Sequence, residues 1–217
     1  MTLNYPTNNS FFVSAAGRRL QKQIEMMLAK EDIKNRPAVL IGAAAPFLPA
    51  FEQNRPDIIA EKEDLPDNAL IPFLPAAGSV SFAFTAVTNQ SVADGVFPLI
   101  KEIHRILKPQ GRFFLLIKNT GSLCPLHIKE MPSFSARVIC KNLLQAEFLI
   151  KYQQGILFFP FCGKIFDKAD DCISALKVKT GCFSFFCAEK KSFIVQTNET
   201  YNSARITKAS VLTSPRT

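Results

Sequence analysis

The stretch from residue 100 to residue 119 has a pattern of apolar and charged positions that predicts a helix followed by a buried strand. Apolar side chains first recur at the spacing of one helix face, at Ile100, Ile103, Ile106 and Leu107. Pro109 cannot continue a helix and Gly111 can accept a left-handed turn, so the helix is predicted to end there. Residues 113–117 are all apolar, which is typical of a short strand buried on both faces in a parallel sheet.

The chain before this stretch is predicted to form one helix and several strands. Residues 14–31 carry an apolar stripe at helical spacing, and Ser14 stands before the stripe as a candidate N-cap. After a break around Pro37, short apolar runs predict strands at residues 38–42, 57–61, near 68–70 and at 80–87. A helix capped within residues 89–91 is expected to lead from the last of these strands to Leu107.

The chain after residue 119 is predicted to alternate again between helix and strand. A helix is expected over residues 133–148, with Phe134, Val138, Leu144 and Phe148 among its apolar positions. Two β-prone stretches at residues 150–161 and 182–196 predict the last two strands, with a helix at 164–176 between them. Residues 197–217 are rich in Ser, Thr, Asn and Lys without a hydrophobic period, which predicts a disordered polar tail.

Length and composition narrow the class of protein. A chain of 217 residues is long enough for one α/β domain with a sizeable core. The six cysteines form no Cys-x-x-Cys pair and only two histidines exist, so no metal site is expected. No apolar run approaches the roughly twenty residues of a membrane span. The first residues lack the pattern of a secretory signal, so we expect a cytoplasmic protein with reduced thiols.

The formal net charge of +8 is spread along the chain instead of lying in one block. Two interpretations follow from this distribution: a weak attraction to nucleic acid or anionic lipid, or a solvated basic surface. Nucleic acid therefore stays among the candidate partners.

The first predicted strand ends at Gly42, and Pro46 soon after suits the first turn of a helix. A strand, a glycine and a helix start form the usual crevice for a nucleotide, because ligands bind outside the carboxyl ends of parallel strands. Ala43 and Ala44 would let a ligand approach the backbone closely. Glu61 ends the second predicted strand and could hold ribose hydroxyls. Glu63 and Asp64 follow at once, however, so a solvated acidic loop is an equal interpretation.

Three short motifs together resemble the class I S-adenosylmethionine-dependent methyltransferases. The Leu-Lys-Pro-Gln-Gly turn at residues 107–111 is similar to the "LKPGG" turn between helix and fifth strand in that family. Residues 11–18 and 40–48 look like the opening segment and the first turn of a bacterial, methyltransferase type 11-like subgroup. The resemblance covers roughly residues 11–196.

The resemblance implies a Rossmann-like α/β fold: a mostly parallel central sheet with an antiparallel edge and helices on both faces. It places an N-terminal segment at residues 1–13, the methyltransferase-like domain at 14–196 and the tail at 197–217. It also implies binding of S-adenosylmethionine and transfer of its methyl group to an unidentified acceptor. The residues it assigns to the cofactor are Gly42, Ala43, Ala44, Glu61, Pro75, Val87, Thr88 and Asn89.

This sequence departs from the family where the family carries acidic and basic side chains. Residues 78–81 lack two expected aspartates, residues 71–73 lack an acid to bind the adenine, and residues 87–91 contain no ionisable group. No catalytic residue can therefore be named. Lys118, Asn119 and His127 follow the fifth predicted strand and could line the crevice, with loop or surface packing as the alternative.

Three hypotheses remain after these departures: an active methyltransferase, an inactive methyltransferase fold that serves as a binding or scaffold subunit for a protein partner, and an RNA-associated basic protein. The first two differ in whether the crevice beyond Gly42 is open. A side chain of Phe47, Phe73 or Phe82 projecting into the crevice would exclude the cofactor.

Overall fold

A seven-stranded mixed sheet with helices on both faces forms the centre of the structure. The computed structural model describes residues 12, 14–31, 36–42, 58–60, 76–87, 93–122, 131–158, 168–169, 173 and 181–192. The helices are α1 (Ala15–Leu28), α2 (Val96–Ile106) and α3 (Ala136–Gln145). The strands are β1 (Ala38–Gly42), β2 (Ile58–Ala60), β3 (Val80–Val87), β4 (Leu107–Asn119), β5 (Ser133–Phe134), β6 (Phe148–Ile156) and β7 (Phe183–Lys190).

The strand order is β2-β1-β3-β4-β7-β6, and the short β5 pairs with the end of β4. Strands β1 to β5 pair in parallel, whereas β7 is antiparallel to both β4 and β6. The predicted mostly parallel sheet with an antiparallel edge is thus confirmed. The strand expected near residues 68–70, the cap at 89–91, most of the helix at 164–176 and the tail at 197–217 lie outside the described residues.

Helices cover both faces of the sheet because the strands alternate their apolar side chains between two core clusters. Phe114 and Leu116 of β4 pack on the α1 face, with Leu20 and Ile24 of that helix. The odd-numbered residues of the same strand, such as Phe113, pack on the opposite face against α2 and α3. A strand that is apolar on both faces needs a cover on each side, which accounts for the unbroken apolar run at residues 113–117.

Helix α1 begins as its sequence predicts. The Ser14 side chain accepts a hydrogen bond from the Gly17 amide at 3.1 Å, which is the N-cap geometry. Gln23 is buried on this helix, and its Oε1 accepts a hydrogen bond at 3.2 Å from the amide of Leu157, just beyond β6. This bond ties α1 to the antiparallel edge of the sheet.

The helix expected over residues 133–148 is shorter, and two of the apolar positions named for it belong to strands. Val138 and Leu144 are 44% and 55% exposed, while Ile139 and Leu143 make the buried face. Phe134 belongs to β5 and Phe148 begins β6. The physical reason is the left-handed conformation of Glu147, with φ of 64°, which follows the helix and redirects the chain into a strand. Phe148, a strand residue beyond this turn, was therefore predicted as part of the helix.

The Leu-Lys-Pro-Gln-Gly turn, which follows α2 and forms the start of β4, also differs from the expectation. The left-handed residue is Gln110, with φ of 63°, and not Gly111. Gly111 instead allows a close backbone approach, because a Cβ there would lie 2.8 Å from the Lys108 carbonyl oxygen and 3.2 Å from that of Ser81. Each position therefore has its own constraint on the side chain.

Two substitutions in this turn should change stability in opposite directions. Gln110→Gly should raise the free energy of unfolding by about 0.5–1 kcal/mol, because a side chain in the left-handed region costs more than the added flexibility of glycine. Gly111→Ala should lower it by about 1–3 kcal/mol through the backbone clash. Urea denaturation followed by circular dichroism measures both changes in the free energy of unfolding. A loss of stability in Gln110→Gly would contradict the claim that Gln110 is strained.

Because of His104 on α2, we expect the free energy of unfolding to fall in acid. Its ring lies 5.1 Å from that of Phe148, edge to face, and its Nε2 is buried with no hydrogen-bond partner among the described residues. Burial, and then the charge of Lys190, lower the pKa of His104 below 6.5 against the opposing effect of Glu147. The unfolded chain therefore binds the proton more readily, so stability falls as the pH drops through about 6.5.

Replacing His104 by glutamine should remove this part of the acid dependence. We expect the loss in urea midpoint between pH 7.5 and pH 5.5 to be smaller in the variant than in the parent chain. An equal loss in both proteins would show that other groups are responsible.

Candidate functional site

The carboxyl ends of the central parallel strands bring two of the predicted cofactor residues to one edge of the sheet. Gly42 is the last residue of β1 and pairs with Ala86 of β3. Val87 ends β3 and pairs with Ile117 of β4. Because ligands of open α/β sheets bind beyond the carboxyl ends of the strands, this edge is the candidate site.

The described strand ends at this edge carry small or buried side chains. Gly42 has no side chain, and Ala86 next to it carries a single methyl group, fully buried on the α1 face. Val87 is 1% exposed and packs on the α2 face, so its side chain is turned into the core. A ligand beyond the ends of β1 and β3 would therefore meet no large side chain from Gly42, Ala86 or Val87.

Phe82 does not obstruct the candidate site. It lies near the start of β3, about 16 Å from Val87 at roughly 3.3 Å per residue. Its ring is 3% exposed and stacks on that of Phe114 with centroids 6.0 Å apart. Of the three phenylalanines that could have filled the crevice, this one is excluded, whereas Phe47 and Phe73 lie outside the described residues.

Most of the predicted cofactor residues cannot be placed in the structure. The residues that lie outside its described part are Ala43, Ala44, Glu61, Pro75, Thr88 and Asn89, together with His127. Their roles stay predictions.

Asn119 ends β4 next to the candidate site. Its polar groups are hydrogen-bonded to β7 and to the two residues that precede β7. Its backbone amide donates to the Cys182 carbonyl at 2.9 Å, and its Nδ2 donates to the Gly181 carbonyl at 2.8 Å. The Ser184 hydroxyl donates to Asn119 Oδ1 at 2.9 Å. Asn119 therefore joins the parallel part of the sheet to its antiparallel edge, next to the candidate site.

Lys118 is the one lysine buried in the described residues, at 7% exposure. Its side chain lies on the α1 face of β4, two residues after Leu116, which pairs with Ala86 of β3. Its Nζ donates to the Met131 carbonyl oxygen at 3.1 Å. The predicted position at the edge is confirmed for both Lys118 and Asn119, and their side chains contact protein groups there.

Ser184 is a member of this network that sequence reasoning missed. It is fully buried and lies 65 positions from Asn119, so no local pattern joins the two residues. The one available signal was a hydroxyl inside the aromatic run at residues 183–186. A buried hydroxyl requires a hydrogen-bond partner, which is supplied by the neighbouring strand.

The described part of the chain contains no group of three His, Cys, Asp or Glu side chains that could hold a metal ion. None of its helices has the length and hydropathy needed to cross a membrane.

Comparison with known proteins identifies the fold. No family model matches the chain, and neither does any curated protein sequence. Solved structures do match. An S-adenosylmethionine-dependent methyltransferase from Mesorhizobium loti has a TM-score of 0.51 and 14% identity, over 82% of this chain and 100% of that one.

Two further structures give the same result. A methyltransferase of this kind from Thermotoga maritima has a TM-score of 0.52 and 18% identity, over 83% of this chain and 93% of that one. A chain from a Haloferax volcanii complex of a methyltransferase with the activator of such enzymes has a TM-score of 0.52 and 15% identity, over 85% of this chain and 98% of that one. The chain therefore has the Rossmann-like fold of the S-adenosylmethionine-dependent methyltransferases.

Proposed function

We propose that this chain is an S-adenosylmethionine-dependent methyltransferase that binds its cofactor beyond Gly42 and Val87. The observation that carries the proposal is the pairing of Gly42 with Ala86 at the carboxyl edge of the parallel strands. In this fold that edge is where ligands bind, and here it carries a glycine beside an alanine. We include in the proposal the bacterial type 11-like subgroup and a cytoplasmic location, both of which rest on the sequence.

The described residues fit the cofactor. Gly42 places no side chain at the end of β1, and the ring of Phe82 stacks on that of Phe114 near the other end of β3. We assign the remaining contacts to Ala43, Ala44, Glu61, Pro75, Thr88 and Asn89, as the family resemblance implies. S-adenosylmethionine supplies an electrophilic methyl group on a sulfonium, and the acceptor supplies a nucleophilic atom that later loses its proton.

The protein's main contribution to such a reaction is position. A nucleophilic acceptor needs little acid–base assistance if donor and acceptor are held in line. This agrees with the lack of a sequence candidate for a general base at residues 87–91.

The alternative is an inactive methyltransferase fold that serves as a binding or scaffold subunit. Two observations favour it: the absence of the family's acids at residues 78–81, and the bonding of both Lys118 and Asn119 to protein groups. The Haloferax volcanii complex shows that a protein of similar fold assembles with a protein partner.

Thermal unfolding with and without ligand tests the proposal. Ligand at about a hundred times its dissociation constant adds about 2.7 kcal/mol, which should raise the melting temperature by about 5–10 °C. S-adenosylmethionine and S-adenosylhomocysteine should both give this shift, and adenine alone should give little. No shift at about 1 mM of either ligand, a concentration that detects even weak binding, would favour the scaffold alternative.

A further inference from the structure

Strand β6 is the outermost of the described strands on the antiparallel side of the sheet. It pairs with β7 along one side, and no described strand pairs with it along the other. With nine residues it is longer than a usual strand of about five or six. A strand at the edge of a sheet presents a row of main-chain donors and acceptors, to which a strand of another chain can bind.

The composition of β6 would favour such an association. Its nine residues include no proline, and Lys151 is their only charged residue. Leu149 on this strand is 45% exposed. Segments with β-prone side chains, low charge and no proline are those that pair most readily with other chains. The single charge of β6 therefore lies within a sequence that would otherwise favour pairing.

Lys151 is also the extra residue of a β-bulge. Ile150 and Tyr152, on either side of it, pair with the consecutive residues 188 and 187 of β7. No residue of β7 is therefore left to pair with Lys151. A bulge bends its strand and disrupts the regular ladder of main-chain groups. The irregular point of β6 thus coincides with its one charge.

The charge of Lys151 lies at the surface, where a second strand would meet it. The side chain is 40% exposed, and its Nζ forms an ion pair at 3.1 Å with Glu189 Oε2 of β7. An exposed pair of this kind contributes little to stability, so the pair alone is a weak reason for a lysine here. Two copies joined by a two-fold axis near the middle of β6 would bring their Lys151 side chains close together, and like charges on neighbouring strands repel.

We propose that Lys151, as the extra residue of the bulge, prevents β6 from pairing edge to edge with the same strand of a second copy of the chain. Lysine side chains and bulges are two separate means by which sheet edges avoid association, and in β6 both occur at one residue. The proposal concerns the antiparallel side of the sheet, away from the carboxyl ends of β1 and β3. It does not depend on the proposed methyl transfer.

Deletion of Lys151 from the full chain is the most direct test, because it removes the bulge and the charge together. The deletion leaves the rest of the strand in register: Ile150 packs on the face of α2 and α3 and Tyr152 on the α1 face, as consecutive strand residues do. In sedimentation velocity, the sedimentation coefficient of the parent should stay constant between about 10 and 200 µM, whereas that of the deletion variant should rise with concentration.

Three point variants separate the possible causes. Lys151→Val removes the charge and keeps the extra residue; association of both Lys151 variants assigns the effect to the charge, association of the deletion alone assigns it to the bulge, and either result supports the proposal. Glu189→Gln removes the ion pair but keeps Lys151, so it should sediment like the parent. Lys141→Val is the matched control, because Lys141 is exposed on α3 and the change in charge and side chain is the same.

Three outcomes would overturn the inference. The first is that both Lys151 variants are folded by circular dichroism and sediment like the parent; if the deletion variant does not fold, the result for Lys151→Val decides. The second is association of Glu189→Gln or Lys141→Val as well, which would indicate the lost ion pair or general surface charge. The third is association of a Lys151 variant that persists after Leu149→Lys places a new charge on the same strand, which would indicate another surface.

Discussion

Replacing Gly42 by valine is expected to weaken S-adenosylhomocysteine binding about a hundredfold or more, as measured by calorimetry. The residue ends β1 directly beside Ala86, where a ligand would reach the main chain. A branched side chain there occupies the space that the cofactor's amino-acid part needs. The circular dichroism spectrum of the variant should stay that of a folded chain.

Gly111→Ala provides the control for this substitution. It also replaces a glycine, and its added Cβ meets the Lys108 carbonyl oxygen at 2.8 Å, so it should lower stability. It lies at the other edge of the sheet, and its affinity for S-adenosylhomocysteine should therefore equal that of the parent. If both glycine variants lose affinity equally, general destabilisation and not a blocked site would be the cause.

Phe114→Ala is expected to produce the largest loss of stability, about 3–5 kcal/mol. Phe114 is fully buried on the α1 face, where its ring stacks between those of Phe82 and Phe185 at centroid distances of 6.0 and 5.9 Å. Truncation leaves a cavity in the centre of a stack that spans three strands. The melting temperature should fall by roughly 6–20 °C.

Leu144→Ala is the matched control for the core substitution, because it also removes an apolar side chain but from a position that is 55% exposed. Its free energy of unfolding should change by less than about 0.5 kcal/mol. Comparable losses in the two variants, measured by urea denaturation, would contradict the arrangement of the core.

The sequence predicted β1 and β3 with their observed bounds because each is a short apolar run with a break on both sides. It failed where two periods meet. Phe148 is named with Val138 and Leu144 among the apolar positions of the predicted helix, but it belongs to the next strand. Periodicity alone does not show where a left-handed residue such as Glu147 ends one pattern and begins another.

The candidate site was predictable only in part for a different reason. Gly42 and Val87 each end an apolar run, and the rule for parallel strands then places them at one edge. The bond from Ser184 to Asn119 joins residues far apart in the chain. Such contacts depend on strand order, which local patterns do not determine.

The most direct test of the central proposal is a calorimetric titration of S-adenosylhomocysteine into the full chain. The account predicts one-to-one binding with measurable heat, lost in Gly42→Val and kept in Gly111→Ala. An absence of heat and of any thermal shift with the parent chain would contradict it and would favour the alternative of an inactive methyltransferase fold.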